Sequence, residues 1–99
     1  MKRASTPLHK LRIPFDAAKI DKLKMTYTQN DNIVLEKDKE DFTVDGNVWS
    51  VRLTQQETNL FKADKAQVQI RIKFTDGTVL PSDIFTLGVG PVLNDEVME

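Results

Sequence analysis

The sequence predicts an all-β domain built as a sandwich, and three observations carry that reading. Apolar and polar residues alternate strictly up to Phe74: Val68, Ile70, Ile72 and Phe74 share one face, and Gln67, Gln69, Arg71 and Lys73 the other. An Asp76-Gly77 pair follows, the strongest short-range signal for a tight hairpin. Turn signals recur evenly along the rest of the chain, separating short β-type runs and leaving room for one helical turn.

Each element has its own justification. Residues 1–5 read as a short, basic, mobile N-terminal lead-in. His9, Leu11, Ile13 and Phe15 then alternate with Lys10, Arg12 and Pro14, which predicts a first strand with Pro14 at its end or on a sheet edge. Asp16-Ala17-Ala18 turns the chain. A second strand runs over residues 20–29, with Leu23, Met25 and Tyr27 inward and Lys22, Lys24, Thr26 and Thr28 outward. Asn30-Asp31-Asn32 closes it, because Asn and Asp tolerate left-handed backbone and bond their own main chain. Residues 33–36 form a short third strand and 37–41 a charged connection.

A hairpin follows, its arms at 42–44 and 48–53, around Asp45-Gly46-Asn47. Trp49, Val51 and Leu53 share one face of its second arm. Thr54 and Glu57 make a capping box, which opens a helical turn held to the core by Leu60 and Phe61. Pro81 interrupts the return of the closing hairpin, so the last strand lies within 83–89, and Gly90-Pro91 end it. The sandwich domain thus spans 6–90, with an acidic C-terminal tail at 91–99. About seven short antiparallel strands, with a helical turn before the penultimate one, is an immunoglobulin-like β-sandwich arrangement.

A chain of 99 residues has room for one domain. It has no cysteine, hence no disulfide and no thiolate ligand, which suits a reducing compartment. Net charge is −1, so no global charge draws it to nucleic acid or anionic lipid. The charge is uneven, however. Residues 1–24 carry seven Lys/Arg against Asp16 and Asp21, and the tail carries Asp95, Glu96 and Glu99. No run reaches the roughly 18 apolar residues of a membrane span, and the N-terminus lacks the apolar stretch of a signal peptide.

Catalytic and metal chemistry find little support. His9 is the one histidine, so a zinc site would need carboxylates for its other ligands. Ser5, Ser50 and Ser82 have no nucleophile-elbow context. The acids Glu36, Asp38, Glu40, Asp41 and Asp45 lack calcium-loop spacing and alternate with Lys37 and Lys39. Gly88-Val89-Gly90 runs into Pro91 instead of a helix, which excludes a phosphate loop. The expectation is a non-enzyme with no cofactor, no metal site and no catalytic residue.

Several stretches, taken together, have a family resemblance. They are Thr6-Pro7-Leu8-His9 with Ile13-Pro14-Phe15-Asp16, Tyr27-Thr28-Gln29-Asn30, the run from Val51 to Thr58 with Phe61, Val68-Gln69-Ile70-Arg71, and Ser82-Asp83-Ile84. In order and spacing the chain resembles a family of small proteins of prophage-like regions of gut Firmicutes and their phages. Its opening motif usually reads Thr-Pro-Thr-His, so Leu8 departs from it. The resemblance implies a β-sandwich and a phage or prophage structural or adaptor domain acting through protein–protein contacts in the virion. It offers no catalytic residues.

On that reading the partners are other phage structural proteins or a second copy, with no nucleic acid and no membrane. The expected location is the virion, or the bacterial host cytoplasm during assembly. Leu93, Val97 and Met98 of the tail are candidate interaction residues, because a free acidic tail has no need of them. The alternative is a carbohydrate-binding module for host attachment, with Tyr27 and Trp49 as the sugar-stacking platform.

Overall fold

Two antiparallel sheets form from these alternating runs in a computed structural model that describes residues 1–99. The smaller has the order β1-β5-β4, with β1 at Leu8–Arg12, β4 at Thr43–Asp45 and β5 at Val48–Arg52. The larger has the order β3-β2-β6, with β2 at Ile20–Gln29, β3 at Asn32–Asp38 and β6 at Lys65–Phe74. On the far edge of β6 lie two short strands in succession, β7 (Val79–Pro81) and β8 (Phe85–Gly88). The fold is all-β, an immunoglobulin-like sandwich with a single one-turn helix, α1 (Gln55–Thr58).

The turns form where the chain supplies left-handed backbone: Asn30 and Asp31 take φ of 51° and 63°, Gly46 59° and Gly77 90°. The capping box forms, since Thr54 Oγ1 accepts from the Glu57 amide at 3.1 Å and Glu57 Oε1 accepts from the Thr54 amide at 2.9 Å. Trp49, Val51 and Leu53 meet Leu23, Met25 and Tyr27 of β2 and Val68, Ile70 and Ile72 of β6 in one core. Phe61 stands edge-on to Tyr27 with ring centres 5.7 Å apart. Each such side chain contributes about 1.5–3 kcal/mol through burial.

The structure corrects several expectations. The strands number eight, because the final arm divides in two. At the break, Ser82 Oγ accepts the Ile70 amide at 3.0 Å, and the Ser82 amide donates to the Ile70 carbonyl. β6 therefore keeps its partners where β7 and β8 leave a gap. Leu60 does not hold the helical turn to the core; it is 58% exposed, and Phe61 does so together with the buried Thr58. Phe74 is only half-buried, with Phe15 edge-on at 5.1 Å. The third strand runs to Asp38, and the charged connection shortens to a 3-10 turn over Lys39–Asp41.

The lead-in is also bound to the domain. The Met1 amino group donates to the Gly88 carbonyl at 2.9 Å, the Gly90 amide to the Met1 carbonyl, and the Arg3 amide to the Gly90 carbonyl. Residues 1–3 thereby extend the large sheet beyond β8, and the chain then crosses to the small sheet through Ser5, whose carbonyl and amide both bond Thr58 Oγ1.

Candidate functional site

The three-stranded sheet covers only part of the five-stranded one, and a cleft opens between the two exposed edges, β1 and β8. Its volume is about 480 Å³. Met25, Tyr27, Val68 and Ile70 line it from the large sheet, His9 and Leu11 from β1, and Phe85 and Leu87 from β8. Leu8 and Phe85 are 42% and 52% exposed, large apolar groups left in water at its borders.

The ladder register determines which backbone groups are free there. Pro7 O takes the Leu53 amide and the Ile13 amide reaches Asn47 O, so the odd residues of β1 bond inward to β5. Leu8, Lys10 and Arg12 consequently turn their amides and carbonyls away from β5, along the open edge. On β8 the Val89 amide reaches Asp64 O, so Phe85 and Leu87 bond β6 and the outward positions are Thr86 and Gly88. Gly88 is already taken by Met1.

His9 and Tyr27 join the two sheets within the cleft. His9 Nδ1 is 2.6 Å from the Tyr27 hydroxyl, which also donates to Met25 Sδ at 3.5 Å. Which of the two groups donates in the short contact is set by the tautomer of His9, and the Met25 thioether is the weaker acceptor of the phenol proton. Burial, and then the positive N-terminus, hold the His9 pKa below its ordinary value. Burial, and then the charge of Glu57, push the Tyr27 hydroxyl up. Both groups are therefore neutral at pH 7, and the cleft has an apolar, uncharged lining bordered by Lys10 and Arg12.

The proposed sugar platform is absent. Tyr27 and Trp49 are each 0% exposed, Trp49 lying in the core against Phe42. Their inward strand positions exclude stacking on a ligand from solvent. The tail folds back on α1: Arg3 pairs with Asp95 at 3.0 Å, Asn59 donates to the Asp95 carbonyl, and Gln55 makes two bonds to the Met98 backbone. Leu93 and Met98 nevertheless stand in solvent, and Val97 is half-buried. None of the three lines the cleft.

No group of three or more His, Cys, Asp or Glu side chains stands close enough to hold a metal ion. No helix is long and apolar enough to cross a membrane. The cleft was missed in the sequence because its walls come from 8–13 and 85–87, and nothing local says that these two strands border the same opening.

The class defined by the fold is thus the immunoglobulin-like β-sandwich. Within it, the chain is similar to CopC from Methylosinus trichosporium OB3b, with a TM-score of 0.56 and 15% identity, covering 94% of this chain and 85% of that one. At that identity the likeness shows the fold alone. No family model and no curated protein matches the sequence. The expected role as a phage or prophage structural domain of the virion is corrected: the similarity found among solved structures is to CopC, not to a particle protein, and neither sequence comparison points to a particle.

Proposed function

We propose that this chain is a non-enzymatic binding module whose cleft takes an extended polypeptide segment by strand addition to β1. The observation that carries the reading is the free β1 edge, with the Leu8, Lys10 and Arg12 backbone groups unpaired beside an apolar hollow of about 480 Å³. An unpaired edge is normally a hazard, and proteins blunt it with charge. Lys10 and Arg12 do so selectively. They discourage indiscriminate pairing and favour a segment whose outward side chains are acidic. Its inward side chains, alternating with these, would be apolar and fill the space before Met25, Val68 and Ile70. Residues 1–3 already add to the Gly88–Gly90 backbone in this manner, which supports the large-sheet edge as a surface that accepts extended chain.

Selection from a random nine-residue peptide library tests the reading. Enrichment of sequences alternating apolar and acidic residues is expected, with binding lost in Lys10→Pro. That substitution removes one outward amide without touching the inward face, and proline is tolerated on sheet edges. Absence of such enrichment, or binding indifferent to Lys10→Pro, overturns it.

A further inference from the structure

The outer face of the large sheet carries a second feature, independent of the cleft. In the ladder between β2 and β6, Lys22 lies directly opposite Lys73, and Lys24 directly opposite Arg71. Like charges directly opposed across an antiparallel pair destabilise a sheet. Lys24 is compensated from β3, its Nζ lying 3.4 Å from Glu36 and 3.6 Å from Asp38. Lys22, Arg71 and Lys73 have no acidic partner within 4.0 Å. The chain thus holds three uncompensated cations on adjacent central strands.

These side chains surround a hollow of about 470 Å³. Lys39 also lines it, held by a bond from its Nζ to the Ile20 carbonyl at 2.9 Å, as do Lys24 and the acids Asp38 and Glu40, so that cations outnumber acids around the hollow. Opposed Cα atoms in such a ladder are about 5 Å apart, and alternate residues along a strand about 7 Å apart. A short chain of two or three phosphates, counted to its outermost oxygens, reaches across such a pair. Arg71 offers the planar fork that grips phosphate oxygens, and the lysines supply point charge.

We propose that Lys22, Lys39, Arg71 and Lys73 form a binding site for a small anion carrying two or more phosphate groups. The bound anion would neutralise the repulsion that the empty ladder leaves. A long nucleic-acid strand fits less well. No aromatic ring lines the hollow for base stacking, and Glu36, Asp38 and Glu40 repel a backbone continuing past the β3 side.

Thermal unfolding of the full chain with sodium tripolyphosphate, against sodium chloride at matched ionic strength, tests this. Tripolyphosphate should raise Tm with the logarithm of its concentration above Kd, by about 4–8 °C once free anion is roughly fivefold above its Kd. The double variant Arg71→Gln/Lys73→Gln should lose that rise. Lys73→Glu distinguishes a ligand site from a merely tolerated cluster: it should raise Tm without any anion, by relieving the repulsion, and abolish the response to tripolyphosphate. An equal response to chloride, a response retained in the double variant, or no gain from Lys73→Glu overturns the proposal. So does stabilisation by a twelve-nucleotide single strand but not by tripolyphosphate.

Discussion

His9 and Tyr27 stand on opposite sheets, and their side chains meet with Nδ1 2.6 Å from the phenol oxygen. This polar contact crosses the sandwich where the small sheet stops covering the large one. It gives the cleft a defined wall, because Tyr27 also anchors Phe61 and bonds Met25.

Removing the hydroxyl with Tyr27→Phe leaves His9 Nδ1 without that partner while keeping the ring. Since His9 is half-buried, water replaces the bond in part. The expected loss is about 1 kcal/mol in denaturant unfolding. A double-mutant cycle with His9→Ala should show coupling between the two sites, and additive losses would deny the contact any role.

Stability should form a plateau between about pH 6.5 and pH 10. His9 has a lowered pKa when folded, chiefly through burial, so the unfolded chain binds the proton first. Its contribution is complete above the unfolded value and is lost as pH falls through the folded one. Burial acts to raise the Glu57 pKa, but hydrogen bonds from Lys37 and Thr54 outweigh it, and the net shift is downward. The Glu57 contribution is therefore lost at still lower pH, as the solution falls through its folded value. Tyr27 is raised, so its unfolded form ionises first and stability falls as pH climbs past about 10. Melting curves across this range check the plateau, and His9→Gln should remove the first acid-side decline.

Trp49 is enclosed between the sheets beside Phe42. Its fluorescence should be blue-shifted and weakly quenched by iodide, with no change on adding sugars. Trp49→Ala should cost about 3–5 kcal/mol, as large buried aromatic deletions do. Strong quenching would place the indole in solvent.

The helical turn depends on one hydroxyl. Thr54→Ala should lower stability by about 0.5–2 kcal/mol in denaturant melts, as other cap deletions do. Thr54→Ser should restore most of that loss, since it keeps the oxygen that accepts the Glu57 amide.

What the sequence disclosed was local. Period-two alternation named the inward residues of β2 and β6, and Asn30-Asp31, Asp45-Gly46 and Asp76-Gly77 marked the turns that form. Leu60 misled because the apolar residues following a capping box all look like staples, and only the path of the chain decides which one turns inward. The break between β7 and β8 is signalled by Pro81, but the way Ser82 fills it depends on Ile70, twelve residues earlier. The cleft and the cationic ladder were not legible for the same reason. Which strands become edges, and which lysines come to face one another, are properties of register between distant segments.

The claim that β1 presents a free, receptive edge is tested most directly by amide hydrogen exchange, read residue by residue in the full chain with and without a selected alternating peptide. Alone, the amides of Leu8, Lys10 and Arg12 should exchange quickly while those of His9 and Leu11, bonded toward β5, are protected. With the peptide bound, Leu8, Lys10 and Arg12 should become protected as well. Slow exchange at these three amides in the free protein, or a bound peptide that leaves them unprotected, would contradict the account.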